Sequence, residues 1–173
     1  MKWEINSINN NLAVSCQKYC SSCCKMGLLF MPDEEYLVIV KWLQDKSPNE
    51  LEEFKARCKK YDGFYLYDQQ QACQFLDNKN LCRLHEDKVK PTECYWWPLH
   101  VYIGDDNCLD IRVSTSCCDG YKFIDNKSSV IEDIKMVVEK LGQEIFRKFR
   151  SKYQGSYNNR SILKIPDNEI PNV

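Results

Sequence analysis

Residues 16–24 read CQKYCSSCC, which places Cys16, Cys20, Cys23 and Cys24 within a single short stretch. Thiols at this density are poor core filler. They suit a soft or borderline cation that takes several thiolates at about 2.3 Å. The spacing C-x3-C-x2-C-C lets one turn or loop bring successive sulfurs to a common point. Further along, Cys73, Cys82, Cys94 and the adjacent pair Cys117 and Cys118 follow in a loop-rich section. A cluster near the start can therefore be completed by ligands from later in the chain. The expected fold is α+β: a small, loop-rich cysteine-cluster metal-binding domain with a short β-hairpin or sheet and two to three helices, including a long C-terminal amphipathic helix. That domain is expected over residues 1–153, with an extended or disordered tail over 154–173.

The composition fits this frame. The 173 residues, 43% hydrophobic and 28% charged, are enough to bury a core. The 24 basic and 25 acidic residues leave a formal charge of -1, so there is no general electrostatic drive toward phosphate backbones or anionic lipid. Nucleic acid and membrane are not expected partners. The segment MKWEINSINNNLAVSC lacks an apolar signal region, and no apolar run is long enough to span a bilayer. A soluble cytoplasmic protein is expected. In such a reducing compartment the eleven cysteines suit metal thiolates better than disulfides. The odd count and the adjacent pairs point the same way.

Local patterns supply the scaffold. A short strand is expected around residues 3–5, then an Asn-rich loop. Pro32 followed by Asp33, Glu34 and Glu35 predicts a helix over 33–44 with Tyr36, Leu37, Ile39, Val40 and Leu43 on its apolar face. Ser47-Pro48-Asn49-Glu50 forms a capping box and predicts a second helix to about residue 60, carrying Cys58 as an ordinary half-buried thiol. The aromatic run YDGFYLYD, residues 61–68, reads as a strand. Residues 99–103 and 109–113 read as a hairpin around the Gly104-Asp105-Asp106-Asn107 turn, with Cys108 at its edge and His100 as a strand residue. Ser129-x-x-Glu132 opens a long helix to about 152, whose apolar face of Val130, Ile134, Val137, Leu141, Phe146 and Phe149 also suits a protein partner or a homodimer.

The middle section joins these patterns. It contains Cys73-Gln74-Phe75-Leu76, then Cys82-Arg83-Leu84-His85, then Lys90-Pro91-Thr92-Glu93-Cys94-Tyr95-Trp96-Trp97-Pro98, and later Cys118-Asp119-Gly120. In this order, after C-x3-C-x2-C-C, the motifs resemble the YkgJ-like cysteine cluster family, a zinc- or iron-chelating domain, over residues 16–120. The resemblance implies eight cysteine ligands: Cys16, Cys20, Cys23, Cys24, Cys73, Cys82, Cys94 and either Cys117 or Cys118. The position of His85 also accepts tyrosine in that family, which suits packing or hydrogen bonding more than ligation.

Eight thiolates are twice what one tetrahedral ion uses, so two zinc sites, or one site and an iron–sulfur cluster such as [4Fe-4S], are implied. The same C-x3-C-x2-C spacing occurs in radical SAM enzymes. This chain has too few βα units for their barrels, and that model leaves the later cysteines unexplained. No phosphate-binding glycine loop or Ser-His-Asp set is present. The expected function is a cytoplasmic protein that coordinates zinc or iron as an accessory to a modification or redox pathway. The rival is an iron–sulfur oxidoreductase or a peptide- or protein-modifying enzyme, because flagellin lysine methylases carry a similar cluster.

Overall fold

The computed structural model describes Cys24, Lys25 and residues 27–69, 72–97, 99–104, 106, 108–114, 127–152 and 159–170. The strand expected around residues 3–5 and the loop after it lie outside the described residues. The fold is α+β, with two three-stranded antiparallel sheets. The described residues group into two compact units, one ending at Tyr95 and the other beginning at Trp96.

The first unit opens with β1 (Leu28–Pro32) and α1 (Asp33–Lys46). Pro32 fixes φ at -55° ahead of α1, and three acids in the first turn complement the helix dipole. Ile39 and Leu43 are buried, whereas Leu37, counted on the apolar face, is 61% exposed. A 3-10 turn over Pro48–Glu50 leads into α2 (Leu51–Arg57).

The second helix was expected to reach residue 60, but it stops at Arg57, and Cys58 is the first residue of β2 (Cys58–Tyr61). The reason is tertiary. Asp62 (φ 49°) and Gly63 (φ 82°) form a tight turn with both central residues in the left-handed region, and this zips β2 onto β3 (Phe64–Asp68) from Tyr61↔Phe64 back to Cys58↔Tyr67. β1 pairs with the other edge of β3, giving the order β1-β3-β2. The two short helices α3 (Arg83–Glu86) and α4 (Thr92–Trp96) complete the section; the last residue of α4 belongs to the second unit. Met31, Ile39, Leu43, Phe54, Tyr67 and Phe75 form the centre of the core.

The second unit contains β4 (Leu99–Ile103), β5 (Cys108–Ser114), α5 (Lys127–Leu141), α6 (Gln143–Lys152) and β6 (Asn159–Pro166). The hairpin forms as expected, with Leu99↔Val113 and Ile103↔Leu109. β6, from the stretch read as an extended or disordered tail, pairs with β5 to give the order β4-β5-β6, with a bulge at Ile111/Arg112. The single long C-terminal helix is corrected to two. Gly142 adopts φ 84°, and its N–H donates to the Val138 carbonyl at 2.8 Å. This is a left-handed stop at which the chain turns before α6 begins. On these two helices Val130, Ile134, Val137, Leu141, Phe146 and Phe149 are buried within the chain, whereas Ile131, Met136 and Ile145 are half-buried. Among the described residues no helix is long and apolar enough to cross a membrane.

Candidate metal centre

Cys24, Cys73, Cys82 and Cys94 line one cavity of ≈ 20 Å³ in the first unit, backed by core residues such as Met31, Phe54, Tyr67 and Leu84 and bordered by Lys90. That is about the room a single ion or water needs.

Each cysteine is held by a different local device. The Cys73 N–H donates to the Cys24 carbonyl at 2.6 Å, tying Cys24 to the middle of the first unit. Arg57 approaches from α2 and donates to the carbonyls of Gln69 (3.2 Å) and Ala72 (2.9 Å), clamping the segment that leads into Cys73. Between Cys73 and Cys82 the chain makes a closed loop. Its neck is a bridge between Leu76 and Cys82 and an Arg83 N–H to Phe75 carbonyl bond of 2.9 Å. Its tip is fixed by Asp77 Oδ1, which accepts the N–H groups of Lys79 and Leu81 at 2.8 Å each. Asn80 takes the left-handed turn at φ 62°. Arg83, next to Cys82, forks onto Glu50 and donates to the Gln74 carbonyl at 3.0 Å.

Cys94 sits on α4, and its N–H donates to the Pro91 carbonyl at 3.0 Å. α4 is anchored by Glu35, which is buried in the first turn of α1. Glu35 Oε1 accepts the Thr92 N–H at 2.9 Å and also the Thr92 hydroxyl. Read in the sequence only as a helix-dipole partner, Glu35 in fact holds a candidate ligand helix in place from 57 residues away.

Burial dominates the electrostatics. It pushes the Cys73 thiol up to about 12, raises Cys82, and raises Cys94 well above its ordinary value. Opposing it, the Lys90 ammonium favours the thiolate at Cys82 and Cys94. Backbone N–H groups do the same, that of Phe75 at Cys73 and those of Leu84 and His85 at Cys82. Thiols this buried keep their protons at neutral pH unless a cation replaces them. Among the described residues, no three His, Cys, Asp or Glu side chains are drawn close enough together to hold an ion as they stand. The four thiols thus share a cavity without forming a closed coordination set. An all-sulfur donor set, a space of ionic size and a nearby cation to balance excess thiolate charge fit a soft or borderline metal.

Cys16, Cys20, Cys23, Cys117, Cys118 and Asp119 lie outside the described residues. Cys58 and Cys108 are not among the residues that line the cavity, and each stands at the start of a strand. His85 is on α3 beside the Tyr95 ring (5.9 Å between centroids), and burial, then Lys90, hold its imidazole toward the neutral form. His100 is a buried residue of β4, edge-on to Trp97 at 5.4 Å. Sequence reasoning missed Tyr67, Arg57, Glu35, Thr92 and Lys90. Only Lys90 had a visible signal, its place before Pro91 in the K-P-x2-C motif.

No family model, curated protein or solved structure matches the chain.

Proposed function

We propose that this is a metal-binding protein in which Cys24, Cys73, Cys82 and Cys94 together hold one zinc or iron ion in an all-sulfur site. The observation that carries the reading is the convergence of four thiols, drawn from positions 24, 73, 82 and 94, on one cavity of ≈ 20 Å³. Cys16, Cys20, Cys23 and Cys117 or Cys118, the other ligands that the resemblance to the YkgJ-like family implies, are left for a second centre. A bound ion would hold the four sulfurs as thiolates and link α4, the Cys73–Cys82 loop and Cys24. With four protein ligands such a site is closed and its role structural. The proposal places the protein in a reducing compartment, where the thiols stay available to metal.

The test is metal content and X-ray absorption on anaerobically purified protein. The expected result is at least one zinc or iron per chain in a four-sulfur environment, with colour marking iron because Zn²⁺ is d¹⁰. Serine at Cys73, Cys82 or Cys94 should lower the metal content, whereas serine at Cys58 or Cys108 should leave it intact. Light-atom ligands at every centre, or equal metal loss from Cys58→Ser and Cys82→Ser, would overturn the reading.

A further inference from the structure

Tyr67, in the middle of the aromatic core, is 1% exposed and lines the cysteine cavity. Its ring packs against Phe54 (5.5 Å) and Phe75 (6.2 Å), which accounts for the ring but not for the hydroxyl. Three groups surround that oxygen. Arg57 Nη1 donates to it at 3.3 Å, the Gln74 N–H donates to it at 3.1 Å, and Cys73 Sγ lies 3.9 Å away. Neither the guanidinium nor the peptide N–H can accept a hydrogen bond. Both occupy the acceptor side of the oxygen, and among the described residues its one proton has a single partner left, the Cys73 sulfur.

We infer that the Tyr67 hydroxyl, oriented by Arg57 and the Gln74 N–H, is the positioning group that donates a hydrogen bond to the Cys73 sulfur when that sulfur serves as a metal ligand. The inference rests on the metal-site reading above and deepens it. It gives Cys73 a side-chain O–H backed by a cation. A thiolate that accepts such a bond is less basic and gives less charge to the metal, the usual means by which outer residues tune a site. Arg57 serves twice. One nitrogen orients the hydroxyl, and the other holds the Gln69 and Ala72 carbonyls just before Cys73. The position of the ligand and its charge are thereby set by one side chain.

The experiment replaces the resident metal with Co²⁺ and compares wild type with Tyr67→Phe, which keeps the ring and removes only the O–H. Losing the hydrogen bond raises the energy of the sulfur lone pair. The sulfur-to-cobalt charge-transfer bands of the variant should therefore move to lower energy, with Co²⁺ affinity changed by about tenfold. Identical band positions in the two proteins overturn the role of the hydroxyl and leave the metal site standing. A wild-type protein with no sulfur-to-cobalt bands overturns the metal reading, and this inference with it. If Tyr67→Phe does not fold, the zinc-loaded wild type supplies the measurement by NMR. The Tyr67 hydroxyl proton should exchange slowly and show cross-relaxation to the Cys73 β-protons, and its absence from that position overturns the inference.

Discussion

The two units use their residues in opposite ways. From Cys73 to Cys94 the first unit has helices of only 4 and 5 residues, α3 and α4, held by turns, side-chain clamps and a cavity of thiols. The second has helices of 15 and 10 residues and a strand of 8, with an apolar interior of Ile111, Ile134, Val137, Phe146 and Ile165. Helices as short as α3 and α4 are unstable alone, and the surface they bury includes sulfurs that would rather meet a cation than each other. The second unit follows ordinary amphipathic rules. On the proposed function, the difference separates structure that a bound metal would complete from structure that packing alone completes.

The largest effect expected from this contrast is on metal removal. A structural zinc contributes about 10 kcal/mol or more to the fold that holds it. Stripping the metal with a strong chelator should therefore release amide protection across residues 73–94 and leave β4, β5, α5 and α6 protected. Hydrogen exchange read segment by segment checks this. Equal loss in both units, or no loss in either after verified metal removal, would break the comparison.

The same contrast governs what could be read in the sequence. The β4–β5 hairpin was legible because its alternation and its Gly104 turn agree with its long-range pairing. α1 was legible from Pro32 and the acids after it. Cys24, Cys73, Cys82 and Cys94 stand out in the sequence as members of a larger group of closely spaced thiols, but that these four line one cavity was not legible there. The helix over 48–60 misled because a capping box reports only where a helix starts. Its end was decided by the ladder from Tyr61↔Phe64 to Cys58↔Tyr67. The single C-terminal helix misled for a similar reason, since apolar periodicity continues across Gly142 while the backbone does not. The partners of the site were the least legible. Nothing near Glu35 announces Thr92, and nothing near Tyr67 announces Arg57 or Cys73, because such contacts exist only once the chain is folded.

A sharper and smaller test acts on the Glu35 anchor. Glu35→Ala would leave two buried donors of Thr92 without this acceptor, at a cost of about 3 kcal/mol. Glu35→Gln, which keeps a carbonyl oxygen there, should cost about 1 kcal/mol. Denaturant unfolding gives the magnitudes. Metal retention gives the specificity, because a loosened α4 moves Cys94, so Glu35→Ala should lose metal to a competing chelator faster than Glu35→Gln. Equal metal retention in the two variants would detach the anchor from the site.

The smallest expected effect belongs to the second unit, at Gly142. Its φ of 84° is one that side chains rarely adopt, yet a Cβ built there meets nothing within 4 Å. Steric crowding from neighbours therefore adds nothing to the cost of Gly142→Ala. What remains is the backbone penalty of a left-handed alanine, about 1–2 kcal/mol, less the unfolded-state entropy that the methyl removes, about 0.4–1 kcal/mol. The net loss should be about 1 kcal/mol, or about 2–4 °C in Tm for a chain of this size. Metal content should not change, since Gly142 and the cysteine cavity belong to different units. A destabilisation several times larger would mean that the break between α5 and α6 is held by more than one residue's conformation. An alanine variant as stable as wild type would mean that the helices accept another junction, and the correction from one helix to two would then not rest on the conformation of Gly142.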